Sequence, residues 1–69
     1  MTIGLVIKLI RKQKGLSQEA LAIKASLSRS AIRHIESGVN SPSLLALEKI
    51  SKALGEPVSF LFLMLEGPK

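Results

Sequence analysis

Residues 17–36 read SQEALAIKASLSRSAIRHIE, and the fold follows from how their apolar positions are spaced. Leu21, Ala22 and Ala25 form one helical stripe and Ala31, Ile32 and Ile35 a second, with Ser17 and Ser28 where helix N-caps are favoured. The intervening Ala25-Ser26-Leu27 is too short for a relaxed loop. The second helix must therefore leave the first at a steep angle, with Ala22 and Ala31 small enough for close approach. This is the pattern of a helix-turn-helix. An αα-hairpin in a small bundle shows the same stripes, so charge and the outward-facing residues have to separate the two.

On either side of this segment the chain keeps helical spacing, with breaks at Gly15, Gly38, Pro42, Gly55 and Pro57 and no stretch that reads as a strand. The expectation is an all-α, compact five-helix domain. Its helices are predicted at about Thr2 to Lys14, Ser17 to Ala25, Ser28 to Ser37, Ser43 to Leu54 and Val58 to Glu66. Glycines 15, 38 and 55 stand where helices close, Pro42 cannot continue one, and Ser41 or Ser43 can cap the next. Ile3, Val6, Ile7 and Ile10 cluster on one side of the first helix. Leu47, Ile50 and Leu54 do so on the fourth, with Leu44 at the edge.

That leaves a surplus of apolar side chains. Leu5 and Leu9 fall opposite the core stripe of the first helix, and Leu45 opposite that of the fourth. The last helix, VSFLFLML, is apolar all round. A lone exposed leucine is ordinary, and Leu45 is read that way. Leu5 and Leu9 together with Phe60, Leu61, Leu63, Met64 and Leu65 point instead to a dimer or partner interface.

With 69 residues the chain is expected to form one domain spanning 1–69, with the helix-turn-helix at about 17–37, at a size where a single core is marginal. It has no cysteine and one histidine, so neither a disulfide framework, a metal site nor a cofactor is expected. Lys8, Arg11, Lys12 and Lys14 follow the first apolar run instead of preceding it, unlike a secretion signal. No run approaches the roughly 18 apolar residues of a membrane span, and a cytoplasmic protein without a membrane role is expected. The net charge of +5 favours a polyanionic partner. The only aromatic residues, Phe60 and Phe62, lie in the apolar tail, leaving no stacking platform for single strands, so double-stranded DNA is the better polyanion.

If Ala31, Ile32 and Ile35 face inward, then Ser30, Arg33, His34 and Ser37 face outward, with Arg29 at the exposed amino end. An α-helix fits the DNA major groove, and an arginine fork can bond guanine O6 and N7 together. Arg29 and Arg33 are thus the candidate base readers, with Ser30 and His34 as adaptable secondary contacts. Gln18, in the first turn of its helix, can bond a phosphate or brace a recognition side chain. Ser28, Asn40, Ser41 and Ser43 can hold phosphates through backbone N–H groups and hydroxyls, or serve only as turn and cap residues. Lys8, Lys12 and Lys14 add long-range attraction. No nucleophile stands beside a base, the serines sit at caps or surfaces, and no Gly-rich phosphate loop is present, so catalysis is not expected.

Three ordered blocks, IRKQKGLSQEALA at 10–22, SLSRSAIRHIESG at 26–38 and PSLLALEKISKAL at 42–54, resemble the lambda-repressor-like (Cro/C1-type, XRE) helix-turn-helix family of transcriptional regulators. The resemblance implies a five-helix domain that binds an operator as a symmetric dimer, with its third helix in the major groove. By position Gln18, Arg29, Ser30, His34 and the loop around Asn40 match family DNA contacts. Arg11 and Glu36 match a partly buried ion pair of the family. The chain departs from the pattern in four places. Ser26 replaces the usual turn glycine, Leu5, Val6 and Leu9 replace polar residues, the tail is more apolar than usual, and Asn40 replaces a frequently basic loop residue.

The function implied is a sequence-specific regulator, a repressor binding a palindromic operator as a homodimer. The alternative keeps the fold and makes it the antitoxin subunit of a toxin pair, with the apolar surface covered by a partner protein. Membrane-surface association through the basic first helix and apolar tail is the weakest reading.

Overall fold

The computed structural model describes residues 1–66. Its helices are α1 (Ile3–Gln13), α2 (Gln18–Ala25), α3 (Arg29–Ser37), α4 (Leu44–Leu54) and α5 (Val58–Glu66), with no strand among the described residues. The sequence-based limits differ mainly by including the caps. Thr2, Ser17, Ser28 and Ser43 each place a side-chain oxygen 3.0–3.1 Å from the backbone N–H three residues on. This satisfies one of the donors that a helix start leaves open. Ser43, not Ser41, caps α4.

The two stripes of the opening segment meet as anticipated. Leu21, Ala22, Ala25, Ile32 and Ile35 are buried, together with Val6, Ile7 and Ile10 of α1 and Leu47, Ile50 and Leu54 of α4. Helix α2 packs against α3 and α4, while α1 packs against α3 and α5. Ala31 is only half-buried, and Leu44, placed at the edge of the α4 stripe, is 66% exposed. It begins its helix and projects before α4 reaches its neighbours.

Leu61 requires a correction. Counted with the interface residues of the tail, it is instead fully buried and completes the core from the side of α5. Phe60, Met64 and Leu65 are half-buried and pack on the same core. The all-apolar sequence of α5 hid which side faced in, because periodicity disappears when every position is apolar. Phe62, not counted with the interface, is exposed with Leu63, Leu5 and Leu9.

The turn between α2 and α3 is closed by Ser26 in the left-handed region (φ 56°, ψ 41°), where Leu27 N donates to Ala22 O at 2.9 Å. Gly38 closes α3 in the same way (φ 83°), with Val39 N donating to His34 O at 3.0 Å. A side chain at such a φ costs about 1 kcal/mol or more that glycine avoids, partly offset by glycine's larger entropy loss on folding. Ser26→Gly is therefore expected to stabilise the fold by about 0.5–1 kcal/mol. In thermal denaturation this would raise Tm by about 3–6 °C for a domain of this size.

Candidate nucleic-acid interface

The outward side of α3 carries Ser30, Arg33, His34 and Ser37, with Arg29 as its first residue, and all five are exposed. Their orientation follows from Ile32 and Ile35, which are pinned in the core on the opposite side. Neither Arg29 nor Arg33 takes part in an ion pair among the described residues. Both guanidinium groups stay free to meet an acceptor in two-pronged fashion.

Ser28 is exposed, and its Oγ accepts from Ala31 N at 3.0 Å. Its hydroxyl proton remains available as a donor. Asn40 and Ser41 are exposed in the loop after α3. Here the backbone reading needs revision: Asn40 N–H already donates to His34 O at 3.3 Å, so the polar capacity left at this position belongs to the side chain.

Gln18 is not a free surface amide. Its Nε2 donates to Glu36 Oε1 at 3.1 Å, and Glu36 in turn takes Arg11 in a two-pronged pair, Nε to Oε2 at 2.7 Å and Nη2 to Oε1 at 2.9 Å. A third arginine bond, Nη1 to Leu16 O at 2.8 Å, ties the loop before α2 into the same network. Arg11 and Glu36 are buried, and every buried side-chain polar atom among the described residues has a partner. The network joins α1, the start of α2 and the end of α3. Gln18 Nε2 carries a second hydrogen that bonds no protein acceptor among the described residues and can donate.

Sequence reasoning missed three features. Lys14, read as a source of long-range attraction, pairs with Glu56 at 3.0 Å and clamps the end of α1 to the α4–α5 turn. Gly4 lies buried where α1 crosses α3. Lys24, Lys49 and Lys52 surround a cleft between α2 and α4. Each joins residues far apart in the chain, and only the Gly4 case left a sequence signal, a glycine inside an otherwise regular helical pattern. No group of histidine and carboxylate residues able to hold a metal is present among the described residues, and no described helix is long and apolar enough to cross a membrane.

A helix-turn-helix family model matches residues 7–61. The chain is 51% identical over 59 residues to the immunity repressor protein of Bacillus phage phi105, a match spanning 86% of this chain and 41% of the repressor. The chain thus corresponds to about two fifths of that protein's length. Among solved structures, the restriction-modification controller protein C.AhdI from Aeromonas hydrophila superposes with a TM-score of 0.85 at 37% identity, covering 87% of this chain and 91% of the controller. SinR, a master regulator for biofilm formation, was solved in complex with DNA and superposes with a TM-score of 0.84 at 40% identity, covering 88% of this chain and 98% of that one. With its two crossed helices, its capped turn and an outward cationic face on α3, the chain belongs to the helix-turn-helix family of Cro/C1-type (XRE) DNA-binding transcriptional regulators.

Proposed function

We propose that this chain represses transcription by binding a palindromic operator as a homodimer, each copy laying α3 in the major groove of a half-site. The observation that carries the reading is the outward face of α3, where Arg29 and Arg33 stand exposed and unpaired among the described residues. Arg29 and Arg33 read guanine edges, Ser30 and His34 add secondary base contacts, and Gln18, Ser28, Asn40 and Ser41 hold the flanking phosphates. Half-sites one helical turn apart match the usual two-fold geometry of such pairs. The names of the immunity repressor and the controller proteins support a regulatory role of this kind.

Arg29→Ala is expected to weaken binding by about 1–3 kcal/mol and to relax the preference at one position of each half-site. The check is an anisotropy titration on duplexes selected from a random pool, repeated across salt concentrations. An unchanged sequence preference in this variant and in Arg33→Ala would remove α3 as the reading face.

The second copy is argued from Leu5, Leu9, Phe62 and Leu63, exposed on α1 and α5, helices that pack side by side. A dimer would cover them with an equivalent surface. Analytical ultracentrifugation is expected to find a dimer that Leu5→Glu/Leu63→Glu converts to monomer while circular dichroism stays unchanged. A wild-type monomer that needs another protein for solubility would favour the antitoxin-like reading, in which that surface belongs to a different partner.

A further inference from the structure

His34 is the one histidine of the chain, and it stands on the outward face of α3 beside Arg33. Its backbone is fixed at the end of the helix, where its carbonyl accepts from Val39 N at 3.0 Å, Asn40 N at 3.3 Å and Ser37 Oγ at 3.0 Å. The imidazole is exposed and makes neither an ion pair nor a hydrogen bond among the described residues. Histidine ordinarily changes its charge between about pH 5 and 8, where arginine and lysine keep theirs. One member of an otherwise constant cationic face can therefore titrate.

The surroundings decide which state a duplex favours. On α3 itself the charged neighbours are Arg29 and Arg33, both unpaired among the described residues, and Glu36, which is buried and bound to Arg11 and Gln18. Helices α1 and α2 pack against α3. From α1, Arg11 is spent on Glu36 and Lys14 on Glu56, leaving the cations Lys8 and Lys12. From α2, Glu19 and Lys24 are exposed, and Glu19 forms no ion pair with the imidazole. The following loop, Val39 to Ser43, has no titratable side chain. The free protein thus gives a charged ring no carboxylate partner. Phosphates and guanine edges in the major groove present acceptors, and the charged ring has two donors where the neutral ring has one.

We infer that operator binding is linked to uptake of a proton by His34 on each α3, so that the chain holds its operator more tightly as the solution becomes acidic. The inference rests on the operator reading of α3. Its sign follows from linkage: the complex binds more protons than its separate parts, so affinity rises as pH falls.

The test is an anisotropy titration of the whole chain on duplexes selected from a random pool, at constant ionic strength between about pH 7.5 and 5.5. Calorimetry in two buffers of different ionisation enthalpy counts the protons. The wild type is expected to gain about threefold or more in affinity for each α3 across this range, and to take up a fraction of a proton on binding. H34Q keeps a polar side chain of similar reach without a titrating group, and is expected to lose both effects. H34K, charged throughout, should bind without proton uptake. A pH slope kept by H34Q would assign it to another group, such as the Met1 amine, and overturn the inference. A flat wild-type curve would overturn it as well, and an R29A variant that still lost affinity would then leave the operator reading standing. Sequence preference unchanged in R29A, R33A and H34Q alike would remove the reading face and the inference with it.

Discussion

Glu36→Ala is expected to destabilise the fold by about 3–5 kcal/mol, the usual cost of leaving one member of a buried ion pair without its partner. Arg11 is only 7% exposed and would keep a single acceptor, Leu16 O, for a guanidinium that now makes three bonds. Gln18 would lose its acceptor too. A chain of 69 residues has a total stability of about 3–10 kcal/mol, so the loss is a third of it or more and the urea midpoint should fall by more than about 1 M at 25 °C. The loss reflects the stranded charge more than the net value of the pair. Arg11→Met/Glu36→Leu, which removes both charges and fills similar space, is therefore expected to regain most of it. A double variant as unstable as Glu36→Ala would show that the helix angle itself depends on the pair.

Gly4→Ala is expected to cost about 3 kcal/mol, the upper end of the usual range for overpacking. A Cβ at this position would fall well inside van der Waals contact with the carbonyl oxygen of Ile35, 3.0 Å from its carbonyl carbon and 3.2 Å from Glu36 Cα. These are backbone atoms of a helix and cannot rotate away. Alanine is the better helix former by about 1 kcal/mol, but relief of the clash requires α1 to move off α3. That movement would open the contacts of Val6 and Ile7 and stretch the Arg11–Glu36 pair. Differential scanning calorimetry should show a Tm lowered by about 12 °C or more. DNA binding should fall even at temperatures where the variant remains folded, because the position of α3 changes. A variant with unchanged Tm would mean that the helices separate without cost at this crossing.

How much could be read in advance depended on the range of the interaction. Ser17, Ser28 and the stripes of α2 and α3 act within one or two helical turns, so their consequences could be written down from the sequence. Leu61 could not be placed, because an apolar residue in an apolar helix has no polar neighbour to orient it. In the candidate site, the exposure of Arg29, Ser30, Arg33 and His34 followed from the opposing stripe. The Gln18–Glu36 bond did not, since it depends on where the end of α3 meets the start of α2.

By itself, then, the sequence determined five helices, the caps at Ser17 and Ser28, the helix-turn-helix and the residues that α3 turns outward, because periodicity and capping are local physics. Only the tertiary structure decided that Gly4 is a contact surface, that Leu61 belongs to the core, that Lys14 is paired and that three lysines from two helices share one cleft. Each of these is a distance between segments remote in the chain, set by the packing of whole helices.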